Sequence, residues 1–86
     1  MVAFDKTLAQ VLRGTADSNI RFSDLKRLLR NLGFDERTRG GHHIFTRVGV
    51  AEIVNLQPKG SKAKAYQVKQ VRELILKYRL ASHGKE

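Results

Sequence analysis

Two adjacent histidines follow two adjacent glycines in Gly40-Gly41-His42-His43-Ile44-Phe45, the densest chemical feature of the chain. Imidazole is the side chain that exchanges protons near neutrality without special tuning. Paired glycines permit positive φ and let a substrate backbone come close. A histidine opening a strand beside such a turn is exposed yet held on a rigid element. The plainer reading is a hairpin turn followed by two ordinary sheet residues. Alternation along a strand puts His42 and His43 on opposite faces, so a given site uses only one of them. Each shares its face with an apolar neighbour, Ile44 or Phe45, and parity does not choose between them. Asp35, Glu36 and Glu52 are the nearby acids, none an obvious partner for either imidazole and none at a metal-ligand spacing. Adjacent strand residues point apart and cannot chelate one ion, so neither a metal site nor a cofactor is expected.

The second feature is the basic stretch Lys59-Gly60-Ser61-Lys62-Ala63-Lys64, ahead of a helical pattern that carries Lys69 and Arg72. Lysines before a helix N-terminus combine mobile charges with unpaired backbone N–H groups and the positive end of the dipole, which suits phosphate. The alternative is a solvated basic loop. Arg37 and Arg39, beside the glycine turn, extend the patch towards the histidines. Tyr66 is expected to pack at the start of the helix rather than stack on a base. Ser61 has nothing nearby to activate it as a nucleophile.

Composition narrows the partners. Among 86 residues, 17 Lys+Arg stand against 8 Asp+Glu, a formal net charge of +9. A surplus that large on so small a body favours a polyanion, with nucleic acid first. Cysteine is absent, which removes disulfides, thiolate zinc sites and cysteine nucleophiles. No window approaches the roughly 18 consecutive apolar residues of a membrane span. The opening residues lack the basic-then-apolar layout of a secretory signal, so a cytoplasmic protein is expected. Hydrophobic residues at 41% are enough for one modest core, and a single domain over 1–86 is expected.

The elements that must position these residues follow from periodicity. Phe4, Leu8, Val11 and Leu12 form one helical stripe over Phe4 to Arg13, with Asp5 at its start and Gly14 ending it. Leu25, Leu28, Leu29 and Leu32 mark a second helix, capped by Ser23, opened by Asp24 and stopped by Gly33. Strands are expected at Phe34 to Arg37, His42 to Arg47 and Val50 to Leu56, joined by turns short enough for an antiparallel meander. Pro58 to Ala65 reads as a loop. A last helix starting near Tyr66 or Gln67 buries Val68, Val71, Leu74, Ile75 and Tyr78. Ala81 to Glu86, including His83, is expected to fray. The order α-α-β-β-β-α describes an α+β fold with helices on one face of a three-stranded antiparallel sheet.

The Leu-rich helix ending in Leu32-Gly33-Phe34, the Arg39-Gly40-Gly41-His42-His43-Ile44-Phe45 element, the short third strand and the basic loop before the final helix together resemble the HicA toxin family. These are small bacterial mRNA interferases whose fold is similar to the double-stranded-RNA-binding domain. The likeness covers a core of about residues 20–80, and the helix at 4–13 is extra relative to the shortest members. Carried across, the third position of the Gly-[Ser/Gly]-His element makes His42 the catalytic residue, with His43 as second choice. The resemblance implies metal-independent cleavage of mRNA and inhibition by a HicB-like antitoxin. RNA contacts are then expected at Gly40, Gly41, Arg37, Arg39, Lys59, Lys62, Lys64 and Lys69. Two departures stand out: Gly41 replaces the family's common Ser, and Gln57-Pro58-Lys59-Gly60 replaces a His-Pro-Gly-like stretch. The competing expectation is a non-catalytic double-stranded-RNA-binding module that binds duplex by shape. A DNA-binding helix-turn-helix would require the strands to be misassigned.

Overall fold

The computed structural model describes residues 4–81, with side chains from Lys6 onward. Helix α1 (Phe4–Arg13) is followed by a 3-10 turn at Asp17–Asn19 and by α2 (Phe22–Asn31). Strands β1 (Asp35–Arg39), β2 (His42–Arg47) and β3 (Val50–Leu56) form an antiparallel sheet in the order β1-β2-β3. A small hairpin, β4 (Pro58–Lys59) and β5 (Lys62–Ala63), leads into α3 (Ala65–Lys77). The α-α-β-β-β-α order is therefore present, with one added hairpin. The expected Phe4 and Asp5 contributions to α1, and the tail with His83, lie outside the described side chains. No helix among the described residues is long and apolar enough to cross a membrane.

The helical stripes do what their spacing demands. Val11, Leu25, Leu28, Leu29, Val68, Val71 and Ile75 are buried together with Phe45, Val54 and Leu56 from the sheet, in one continuous core. Fully burying a side chain of this size is worth about 1.5–3 kcal/mol, so this cluster holds the layers together. Leu80 is buried as well, and Ala81, the first residue of the stretch expected to fray, packs against the same core; residues 82–86 lie outside the described residues.

Local chemistry explains each shifted boundary. Helix α2 starts at Phe22 with Arg21 at the N-cap and no capping side chain, so Ser23 does not cap it. The Phe22 N–H is instead taken by the Ser61 carbonyl at 3.0 Å. The other end follows the expected rule in full. Gly33 adopts φ +96°, its N–H meets the Arg30 carbonyl at 3.0 Å, and the Phe34 N–H meets the Leu29 carbonyl at 3.0 Å. That double bond pattern is the Schellman stop. It consumes Phe34, which is buried, so β1 opens at Asp35 instead. At its far end β1 runs on to Arg39, because the turn needs only Gly40 and Gly41, at φ +52° and +86°. Two successive positive φ values make a tight turn whose twist matches that of the strands.

The basic stretch is not a loose loop. Lys59 pairs with Lys62 across the β4–β5 hairpin, Lys62 bridges to Arg21, and the Ala63 N–H donates to the Ile20 carbonyl at 2.9 Å. Ala63 is buried, so the hairpin is stitched to the segment before α2 and the lysines stand on an ordered support. Arg72, which sequence pattern put towards phosphate, is structural. Its guanidinium holds Asp17 through two bonds of 2.9 and 3.1 Å and reaches the Val11 carbonyl at 3.1 Å, tying α1 and the 3-10 turn to α3.

Candidate functional site

Strand register assigns each histidine its face. His43 pairs with Leu56 and Phe45 with Val54, so these four share the helix-covered face. Ile44 pairs with Asn55, Arg37 with Ile44 and Arg39 with His42, so these residues share the open face. Gly40 and Gly41 sit at the tip between Arg39 and His42, and a Cβ added to either would meet nothing within 4 Å. The turn is thus open to an approaching chain.

On the open face His42 is half-buried and held by neutral amides on the neighbouring strand and just beyond it. Its Nδ1 lies 3.1 Å from Asn55 Oδ1, and its Nε2 lies 3.3 Å from Gln57 Nε2. Both contacts are satisfied at once when Nδ1 carries the proton and donates to Asn55. Nε2 then keeps its lone pair and accepts the long, weak bond from Gln57. That is a base fixed in orientation, with its basic nitrogen held by a contact easily exchanged for a substrate hydroxyl.

His42 shares a cleft of about 280 Å³ with Ile53, Asn55, Gln57, Tyr66, Gln67 and Gln70. Gln67 is buried. Oriented to satisfy both polar ends, its amide accepts from the Gln57 N–H and donates to the Gln57 carbonyl, each at 3.1 Å. This locks the first turn of α3 to the end of β3. Tyr66 beside it is 65% exposed, so it does not pack at the helix start as expected. Tyr66 also lines a second hollow of about 690 Å³ with Ser18, Lys59, Lys62 and Lys64. The three lysines are brought together, and one aromatic ring joins their hollow to the histidine cleft.

The remaining basic residues divide. Arg37 and Arg39 line a further hollow with Ile44 and Thr46 on the open face. Lys69 is exposed on α3 but lines neither the lysine hollow nor the His42 cleft. Lys62 donates to Asn19 Oδ1, so part of its capacity is committed. By contrast Arg37, Arg39, Lys59, Lys64 and Lys69 have no ion-pair or hydrogen-bond partner for their side chains among the described residues. Unpaired cations are the ones left to meet phosphate.

His43 occupies a different environment. Its Nδ1 donates to Glu36 Oε2 at 2.9 Å, and its ring meets Phe22 edge-on at a centroid distance of 5.1 Å. Glu36 thereby becomes the carboxylate partner that the spacing of acids did not reveal. The same carboxylate accepts from Arg30 at 2.7 Å, with Lys26 at 3.8 Å. The bond from His43, then those cations, hold its pKa below the ordinary 4.5 against the opposing effect of burial. This cluster ties β1 and β2 to α2. Glu52 is likewise lowered, first by the bond from Lys77 and then by that from Tyr78.

No family model, curated protein or solved structure matches this chain. Among the described residues no three His, Cys, Asp or Glu side chains converge. Asn55, Gln57 and Gln67 are the site residues that the sequence pattern did not single out, and Tyr66 was expected to pack at the helix start. For Asn55 and Gln57 the available signal is period-two spacing: Ile53, Asn55 and Gln57 alternate along β3 and just past its end onto the face that carries His42.

Proposed function

We propose that this chain is an endoribonuclease of the HicA toxin type, cutting mRNA in the cytoplasm without a metal cofactor and held in check by an acidic, HicB-like antitoxin. His42 is the general base. Its Nε2 takes the proton from a ribose 2′-OH, and the freed oxygen attacks the adjacent phosphorus. The bond to the 5′-oxygen of the next nucleotide breaks, and that oxygen is protonated by solvent. The products are a 2′,3′-cyclic phosphate and a 5′-hydroxyl end.

The nucleophile is supplied by RNA itself, so positioning contributes much of the acceleration and no protein nucleophile is required. Arg39, paired with His42 across the turn, and the unpaired lysines are the candidates to stabilise charge on the phosphorane. The observation that carries this reading is the imidazole itself: half-buried on the open face, its tautomer fixed by Asn55, in a cleft that shares Tyr66 with the lysine hollow.

The second reading, a non-catalytic double-stranded-RNA-binding module, is favoured by Lys59, Lys62 and Lys64 gathered ahead of α3, an arrangement that needs no histidine. Incubating the purified protein with end-labelled RNA in the presence of a chelator separates the two. Fragments are expected from the wild type. Intact RNA retained in a duplex complex is the result of the binding module and contradicts the nuclease.

A further inference from the structure

The ring of Tyr66 is exposed, and the residue's one hydrogen-bond contact among the described residues is a long one, 3.4 Å, between its hydroxyl and the Gln67 amide. Tyr66 is 65% exposed, although it stands in the first turn of a helix that is otherwise locked down. Its neighbour Gln67 is buried and bonded to the Gln57 backbone, so the ring is presented from a fixed base. Tyr66 lines both the hollow of Lys59, Lys62 and Lys64 and the cleft of His42. Ile53, 61% exposed, adds an apolar wall to the histidine cleft. An RNA backbone running from the lysines to the imidazole therefore passes this ring. A phosphate has no use for an aromatic face, but an unstacked base does.

We propose that Tyr66 is a stacking platform for one unpaired base of single-stranded RNA, setting the register of the strand between the lysine hollow and His42. The inference rests on the nuclease reading of the open face and deepens it by naming the substrate form. Stacking uses the ring and not the hydroxyl, so phenylalanine serves as well as tyrosine. Duplex RNA keeps its bases paired and cannot offer one to the ring.

The probe is a single-stranded 2′-O-methyl oligoribonucleotide, which lacks the proton His42 must remove and so cannot be cut. Loss of a base–aromatic stack corresponds to about 5- to 150-fold in affinity. Tyr66→Ala is expected to weaken binding within that range, and Tyr66→Phe to bind like the wild type. Tyr66 and Tyr78 are the two tyrosines and tryptophan is absent, so tyrosine emission reports the ring directly. Emission should fall on binding in the wild type and in Tyr78→Phe, and stay constant in Tyr66→Phe. Equal affinity of Tyr66→Ala and wild type overturns the proposal, as does a Tyr66-independent preference for duplex. Because the probe is never cleaved, failure of His42 as a base leaves this result standing. If His42-dependent cutting persists without Tyr66 dependence, the stacking platform alone is refuted.

Discussion

The His43 imidazole donates to a carboxylate that Arg30 and Lys26 also hold, while its ring rests edge-on against buried Phe22. The His42 imidazole hydrogen-bonds instead to the neutral amides of Asn55 and Gln57. Removing each should therefore be felt in different assays. His43→Ala is expected to cost about 1–3 kcal/mol of stability in a urea titration, since Glu36 loses a hydrogen bond to a charged group. His42→Ala should cost no more than about 1 kcal/mol, since it gives up two bonds to neutral amides that line an open cleft and can turn to water. Glu36 adds a pH signature. Its folded-state pKa is depressed, so its stabilisation is present above the ordinary 4.5 and is lost as pH falls through the lower folded value. Urea midpoints measured from pH 6 down to pH 3 should fall in the wild type, and fall less in Glu36→Gln. The sequence supplied the opposite faces of His42 and His43. It did not say which face the helices cover, because that depends on how α2 docks. Glu36 was invisible as a partner for the same reason, since it meets His43 only diagonally across a two-residue turn.

At the scale of elements, Arg72 is the clearest test of how α1 joins the rest. Its guanidinium spans Asp17 and the Val11 carbonyl, contacts 55 and 61 positions away in the chain. Arg72→Ala is expected to lower stability by about 1.5–3 kcal/mol, with each kcal/mol shifting Tm by about 4–8 °C in a domain of this size. A Tm unchanged within error would show that α1 docks through its apolar stripe alone. Helices and the second and third strands were legible from periodicity, which is a local property. The β4–β5 hairpin was not, because Lys59 to Lys64 has no apolar alternation to mark flanking strands, although Gly60-Ser61 is a hairpin turn dipeptide. It is ordered by partners elsewhere, through the Ser61 carbonyl, the Ala63 N–H and the side chain of buried Ala63. Sequence pattern likewise spent Arg72 on phosphate, since a long-range clamp leaves no periodic trace.

For the whole molecule, a charge of +9 implies that much of any RNA affinity is counterion release. The unpaired cations are not equivalent, however, and the lysine hollow brings two of them, Lys59 and Lys64, together with Lys62. The slope of log affinity against log salt should become shallower by about 0.7 for each phosphate contact removed from single-stranded RNA. Lys59→Gln and Lys64→Gln should each show that change, whereas Lys77→Gln, whose partner is Glu52, should not. Equal slopes for all three would mean that RNA reads net charge and no particular surface. The open face, its glycine corner and the hollow beyond Tyr66 predict otherwise.

The most direct measurement is cleavage of a labelled oligoribonucleotide by wild type and by His42→Ala of verified fold, with product ends identified and a substrate 2′-deoxy at the cut site run alongside. The wild type should yield cyclic-phosphate and 5′-hydroxyl ends, His42→Ala should be slower by about 10²–10⁴-fold, and the deoxy substrate should survive. Undiminished cutting by His42→Ala, or cutting at the deoxy position, would contradict the role assigned to this imidazole.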